Sequence, residues 1–335
     1  MQSKYTVKLI SPKTKEKLMK KIYSSRLYQR KAAVHGTCIK FFTDSHEFKD
    51  MWEDNFEPMP DWVRPHCRIF AVFSSGGTGE LAPKGRMVSS PGSRVLSIFY
   101  EPVSKTVIVQ NCEYYGWVKS IALALIADFF EDFTSEHRRY SVHGSFIDFG
   151  GRGLTIIGPS KSGKTTLTYG LLLDKRFNFL TDDWFFVRLA NKDTLVYSSE
   201  RNSYIGADLA DNWPQYSSRL KGITKDSSNR CVMEVSRVLG EDRIRQSSDL
   251  MLTVILRRER GKEVVKKLSP VDAVAYMMKN DFCNPHQLVR SKAKLEKRKA
   301  FFMELFGRAP VYLLNTIEKP GESLERLKKL IEQID

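Results

Sequence analysis

The 335-residue sequence has few cysteines and no CxxC pair. Cys38, Cys67, Cys112, Cys231 and Cys283 are scattered and odd in number, which argues against a disulfide framework and against a zinc site built from paired ligands. His66 stands beside Cys67 and His286 near Cys283, but neither pair finds a second pair at ligand spacing, so buried structural thiols are expected. Long apolar runs are also missing. The longest, Ile121–Phe130, is broken by Asp128 and falls well short of the ~20 residues a membrane span needs. The opening MQSKYTVKLI has no apolar segment behind its charges, so no secretory signal is expected. There is no internal repeat and no low-complexity tract. A soluble, cytoplasmic protein without a membrane partner is the expectation.

Acidic residues are scarce where the chain begins. Residues 1–40 hold eleven Lys/Arg against one acid, Glu16, within a chain whose net charge is +15 and whose sequence pI is about 9.5. Segments 257–267 and 290–299 are basic too, whereas Asp44–Asp61 is acidic. Such asymmetry points to an anionic partner: RNA, an acidic protein or a phosphorylated metabolite. Hydrophobic residues make up 41% of the chain, enough for a packed core.

Residues 1–112 suggest a basic, β-rich α+β domain suited to recruiting a substrate, and residues 113–335 an α/β domain carrying the catalytic motifs. In the first part, Lys13–Tyr28 is expected as a short basic helix and Arg68–Phe73, Val95–Tyr100 and Thr106–Gln110 as strands. Ser74–Gly79 and Ser89–Ser93 have loop composition. Residues 115–136 have the spacing of a long amphipathic helix, with the soft boundary before it, near residue 112. Beyond it, Val142–Phe149 and Leu154–Ile157 predict a hairpin turning at Gly150–Gly153. A helix should run to Leu173, with strands at Asn178–Thr181, Trp184–Leu189, Leu250–Leu256 and Val311–Leu314. Helices are expected at Val271–Met278, His286–Phe306 and Glu322–Gln333. Alternating strands and helices indicate an α/β core.

The chemistry is concentrated in Gly158-Pro159-Ser160-Lys161-Ser162-Gly163-Lys164-Thr165, which fits G-x-x-x-x-G-K-[ST]. Glycines let the backbone close around phosphate oxygens and aim N–H groups at them. The helix that follows adds its positive end. Lys164 would reach the β- and γ-phosphates, and the Thr165 hydroxyl would ligate Mg2+. An apolar strand, LTII, precedes the loop and an apolar helix follows it, so Gly158 through Thr166 are the candidate nucleotide-binding residues. Asp182-Asp183 ends a strand eighteen residues after Lys164. One such acid can hold the metal and the other can take a proton from an attacking hydroxyl. Adjacent carboxylates repel unless a cation or a proton compensates them.

The order of His143, strand, GPSKSGKTT, helix and FLTDDWFFV resembles the HPr kinase/phosphorylase family, which shares its nucleotide site with the phosphoenolpyruvate carboxykinases. The resemblance covers about residues 140–190. It implies a P-loop HPr kinase/phosphoenolpyruvate carboxykinase-like core that uses ATP and Mg2+. By that likeness Asp183 would hold the metal with Thr165, Asp182 would be the general base, and His143 would stand near the transferred phosphoryl. The family also commonly forms oligomers, which makes a homo-oligomer an expectation here. Lys161 stands where the family's loop has a further glycine. The family's protein-substrate signature is absent, and Glu200-Arg201 is only a weak counterpart. Arg230, Arg243 and Arg245 are candidates for a transition-state cation.

The sequence therefore predicts an ATP- and Mg2+-dependent kinase acting on a hydroxyl, with serine of a protein or peptide ahead of a small-molecule alcohol and an anionic acceptor as partner. A nucleic-acid-associated P-loop ATPase and a carboxykinase-like enzyme acting on a metabolite are the alternatives.

Overall fold

The computed structural model describes residues 6–24, 26–73, 96–133, 138–206, 208–223, 225, 230–284 and 286–334. The expected loops at Ser74–Gly79 and Ser89–Ser93 lie outside those residues. Contacts gather the chain into two units, one of residues 2–132 with 285–290, the other of 133–284 with 291–335. The division falls after Asp132, not near residue 112 as the sequence suggested. The reason is the helix before it, Tyr115–Asp132, sixteen of whose 18 residues are buried. A helix enclosed on every side has no polar face, so it is not the amphipathic connector expected from its spacing.

The first unit contains β1 (Val7–Leu9), α1 (Pro12–Ile22), β2 (Tyr28–Val34), β3 (Thr37–Thr43), α2 (His46–Asn55), β4 (Glu57–Pro58), β5 (Cys67–Val72), β6 (Ser97–Glu101), β7 (Thr106–Gln110) and α3 (Tyr115–Asp132). Its sheet runs β1-β6-β7-β5-β3-β2-β4. Serines open both early helices. Ser11 accepts from the Thr14 amide at 3.2 Å, and Ser45 accepts from the Phe48 amide at 3.2 Å. The basic helix stops at Ile22, short of the Tyr28 expected, while α2 lies in the acidic stretch where no helix was foreseen. Neighbouring residues of β3 serve opposite faces. Phe42 stacks on Phe70 with centroids 4.2 Å apart, in the cluster that holds Leu18 and Ile22 of α1. Phe41 stacks on Trp52 of α2 at 4.4 Å. Burial on both faces is why the strand reads TCIKFFT without clean alternation.

The second unit contains β8 (Arg139–Phe149), β9 (Arg152–Ile157), α4 (Lys164–Leu171), β10 (Phe177–Thr181), β11 (Trp184–Ala190), β12 (Asp193–Ser198), β13 (Asn202–Gly206), β14 (Arg230–Glu234), β15 (Ser247–Arg257), β16 (Val265–Leu268), α5 (Pro270–Lys279), α6 (Lys292–Arg308), β17 (Val311–Asn315) and α7 (Pro320–Glu332). Shorter helical turns are left unlabelled. The main sheet runs β10-β8-β11-β12-β15-β17-β16, with β9 pairing to both β8 and β15. β9 and β17 each lie parallel to β15, and the other pairs are antiparallel. This is a mixed α/β architecture.

Alternate residues of the parallel strands enter two different cores. Leu154, Ile156, Val254, Leu256 and Leu314 pack in a cluster with Leu167 and Leu171 of α4 and Leu324 and Leu327 of α7. Ile157, Ile255 and Leu313 pack in a second cluster with Val274 and Met277 of α5 and Phe301 and Phe302 of α6. Helices therefore cover both faces, and the runs LTII and LTVIL are what such burial requires. α6 begins at Lys292, six residues later than predicted, because the Ser291 hydroxyl caps it by accepting from the Lys294 amide at 3.3 Å.

The β8–β9 hairpin turns at Gly150 (φ 64°) and Gly151 (φ 89°). Gly153, two residues on, is required for a different reason: a Cβ there would lie 2.4 Å from the Ile147 carbonyl and 2.4 Å from a Phe146 ring carbon. Gly153→Ala should lower folding stability by about 1–3 kcal/mol through overpacking. A chemical-denaturation midpoint shows this, and an unchanged midpoint would mean the hairpin is looser than described.

Candidate functional site

The loop between β9 and α4 sits at the carboxyl end of β9, beside the carboxyl ends of β15 and β17. In α/β sheets this is where ligands bind. Two features shape it. Gly163 is the N-cap of α4 with φ 96°, and no side chain caps the helix, so the first amides of α4 carry no competing acceptor from that residue. Lys161 also takes positive φ, at 66°. Glycine takes that conformation at least cost, so a lysine there is strained. Its side chain is exposed.

The loop is tied down beneath. The Thr316 hydroxyl, just past β17, donates to Ser162 O at 2.7 Å and lies 3.1 Å from Arg257 O. Asn315 then braces the turn after β15. Its amide nitrogen donates to Glu259 O at 2.7 Å and its oxygen accepts from the Glu259 amide at 3.0 Å. A Cβ on Gly158 would meet the Ser162 hydroxyl at 2.6 Å and Leu256 at 3.0 Å, so only glycine fits there. The Ser162 hydroxyl is buried and makes no hydrogen bond among the described residues.

Lys164 curls back within the loop and donates to Gly158 O at 2.9 Å and Pro159 O at 3.2 Å. Burial holds its ammonium below the usual lysine range, while Asp183, the Cys283 thiol and Asp182 pull it back up. Geometry places them together: Gly144, whose amide holds Asp183 O, pairs with Ile157 at the end of β9, next to the loop. The Thr165 hydroxyl is half-buried and makes no hydrogen bond among the described residues.

Asp182 and Asp183 occupy the break between β10 and β11, which pair with successive stretches of β8. Main-chain contacts fix both. The Gly144 amide donates to Asp183 O at 2.9 Å and the Ser145 hydroxyl to Asp182 O at 3.2 Å. Asp182 is buried and Asp183 half-exposed. His143, on β8, brings its Nε2 to 3.1 Å from Asp183 Oδ1 and its Nδ1 to 2.6 Å from Cys283 O. A carbonyl and a carboxylate both only accept, so each of these contacts is a hydrogen bond through a hydrogen on the ring nitrogen that faces it.

The Cys283 carbonyl was invisible in the sequence. Asp281, Phe282 and Cys283 all have left-handed backbones, with φ of 56°, 51° and 50°. Each costs roughly 1–2 kcal/mol for a non-glycine residue, and such turns concentrate at functional sites. The Cys283 thiol itself is pushed up to about 11, mainly by burial, so it is no nucleophile at neutral pH. All five cysteines are buried and unbridged, as expected.

The donors fit a hard cation in a limited way. Among the described residues no cluster of three or more His, Cys, Asp or Glu could hold an ion. A threonine hydroxyl and a carboxylate are what magnesium uses when nucleotide phosphates and water complete its shell. No helix among the described residues is long and apolar enough to cross a membrane.

The arginines are placed differently from expectation. Arg243 lies at the far end of α4, donating to Leu172 O and Asp174 O at 3.1 Å each and to Phe177 O. It satisfies carbonyls at the helix C-terminus, where a cation is favoured. Across an eight-residue helix that is roughly 12 Å from the phosphate loop, too far to touch a transferred group. Arg245 donates to Asp242 O at 2.8 Å and to Ile244 O at 3.2 Å. Arg230 lies over the Tyr204 ring on the separate two-stranded β13–β14 sheet. The remaining brace on α4 is Trp213, whose indole donates to Thr166 O at 2.8 Å and packs against Gly170. Of these supports only Asn315-Thr316 left a sequence signal, a polar pair ending the apolar run VYLL.

No protein-family model matches the chain, and no curated protein matches it. Among solved structures it is similar to the Hpr(Ser) kinase/phosphatase from Coxiella burnetii, with 17% identity over 58% of this chain and 98% of that one and a TM-score of 0.33. A TM-score so low carries no argument about function, which has to come from the site.

The Arg243 geometry has a measurable consequence. Arg243→Gln should cost about 1–3 kcal/mol of stability by stranding buried carbonyls, while activity per folded molecule is retained. A variant of normal melting temperature with lost turnover would instead return Arg243 to the chemistry.

Proposed function

We propose that this chain is an ATP- and Mg2+-dependent kinase that transfers the γ-phosphoryl group to a hydroxyl acceptor, a serine of a protein or peptide ahead of a small alcohol. One observation carries the reading. Lys164, the adjacent carboxylates Asp182 and Asp183, and His143 share one neighbourhood beside an uncapped helix N-terminus whose loop backbone turns left-handed at Lys161 and Gly163.

In this reading the amides of residues 160–165 and the start of α4 hold the β- and γ-phosphates. Lys164 leaves the Gly158 and Pro159 carbonyls and places its charge on the phosphate oxygens. Thr165 and Asp183 would hold magnesium, which would supply charge neutralisation at the phosphates. Asp182, buried and next to a second carboxylate, takes the proton from the acceptor hydroxyl as it attacks. His143, oriented by Cys283 O, fixes the Asp183 carboxylate through Nε2 and stands beside the transferred group. The Arg258–Lys262 turn, braced by Asn315 at the carboxyl end of β15, offers exposed cations where an anionic acceptor would approach.

Incubation with γ-labelled ATP and magnesium in a lysate of the source cells tests the reading. Label on a protein or small-molecule hydroxyl supports it, and release only as free phosphate, stimulated by RNA or DNA, replaces it with a nucleic-acid-associated ATPase. Lys164→Ala should lower transfer roughly 10²–10³-fold. Asp182→Asn should keep nucleotide affinity and lose transfer by about 10²–10⁴-fold, and intact transfer would remove Asp182 from the base role. Thr165→Ala should raise the magnesium concentration for half-maximal activity; an unchanged requirement would give the metal to another residue.

A further inference from the structure

The basic character of the first unit is organised rather than diffuse. In the sheet register Lys31 of β2 is directly opposite Lys40 of β3, and Lys40 is opposite Arg68 of β5. Residues paired across strands point to the same face, so three cations stand side by side over roughly 10 Å. Like charges placed opposite one another destabilise a sheet, and acids normally alternate with them. Here no acid is interleaved. The face is the one α1 covers, because Phe42 and Phe70, two residues along β3 and β5, belong to the cluster under Leu18 and Ile22. The cations lie where that cover ends, and all three are half-buried.

Their partners are unequal. The Lys31 ammonium is pinned by Asp61 O and by Val63 O at 2.9 Å, which leaves its charge uncompensated by any carboxylate there. The Lys40 ammonium lies 4.9 Å over the Phe42 ring and, like the Arg68 guanidinium, makes no ion pair among the described residues. Burial and the neighbouring Lys31 and Arg68 hold the Lys40 ammonium below the usual lysine range, with the Asp61 carboxylate and the Cys38 thiol acting against them. The row is also closed at both ends. Beyond Arg68 come Thr106 and then Glu101, whose carboxylate is already taken by Lys15 and by the Val103 and Ser104 amides. At the other end the Met59 amide bonds Lys31 O, and the segment 59–63 borders the row with Trp62 84% exposed. A polynucleotide would need a longer track of cations; a closed row three residues wide matches one compact anion.

We propose that Lys31, Lys40 and Arg68 form an anion site on the first unit that takes a phosphate group, as a phosphomonoester or a diphosphate. A lysine and an arginine side by side supply a point charge and a planar fork, the pair of donors suited to phosphate oxygens. Bound phosphate relieves the repulsion within the row. This inference is independent of the kinase reading, since it concerns residues of the other unit.

Titration calorimetry with inorganic pyrophosphate, at low ionic strength and without magnesium, tests it in the full chain carrying Lys164→Ala, which removes the phosphate loop's cation so that the remaining binding is read by its dependence on Lys40 and Arg68. Pyrophosphate should still bind, with Trp62 fluorescence changing. Adding Lys40→Gln and Arg68→Gln should weaken that binding about tenfold or more, and Lys40→Arg should preserve it. Removing two exposed lysines of α1 instead, with Lys17→Gln and Lys20→Gln, should leave it unchanged. Lys40→Gln should melt no lower than its parent, because it relieves repulsion. No binding, equal weakening by the α1 substitutions, a lower melting temperature for Lys40→Gln, or preference for single-stranded RNA over pyrophosphate each overturns the site. A phosphoserine peptide that outcompetes pyrophosphate with the same dependence on Lys40 and Arg68 places the phosphate on a protein, whereas the reverse order places it on a small molecule. Failure of Lys164→Ala to affect ATP turnover would count against the kinase reading alone.

Discussion

Burial of β9 and β15 on both faces is the constraint from which the candidate site follows. Because alternate residues of each strand enter different cores, neither strand can slip by one position without exchanging the cores its side chains enter. Register is therefore fixed, and with it the point at which β9 ends and the chain must turn. The turn occurs with Gly158 pressed between Ser162 and Leu256 of β15, so the same parallel pairing that builds the core also shapes the loop. β17 completes the arrangement by delivering Thr316 beneath Ser162.

A second constraint is electrostatic. Lys164 is desolvated, and the two aspartates are joined by one peptide bond. Each arrangement is costly alone, and each reduces the cost of the other. The main chain does the positioning, since bonds from Gly144 and Ser145 hold the backbone of both acids, and His143 meets the Asp183 side chain. A backbone held in this way fixes where the two carboxylates can reach. The left-handed turn at 281–283 fits the same logic: it spends conformational energy to bring a single carbonyl to His143.

Local signals explain what the sequence made legible. The strands Thr106–Gln110 and Phe177–Thr181, the Gly150-Gly151 turn and the loop before α4 each carry their instruction within a few residues. What was hidden depends on distant partners. Nothing near Arg243 indicates that its guanidinium closes the far end of α4, and nothing near Cys283 indicates that its carbonyl meets a histidine 140 residues earlier. The helix Tyr115–Asp132 misled for a related reason: apolar residues at helical spacing look amphipathic until the few polar ones, Lys119, Asp128 and Glu131, prove to be buried as well. α2 was missed because its composition is acidic, and its buried residues are only Phe48, Trp52 and Asn55, of which two are apolar.

The same distinction separates the two basic features of the chain. Net charge alone suggested an anionic partner without saying where it would bind, because most of the early lysines, such as Lys13, Lys17 and Lys20, project into solvent from α1 and are individually weak. Register changes the argument. Lys31 and Lys40 are nine residues apart and Arg68 another 28, yet the pairing of β2, β3 and β5 places them in one row. Solvated lysines cost the fold little and therefore say little about function. Partly desolvated cations set against one another oppose the fold, and a bound anion would offset that cost.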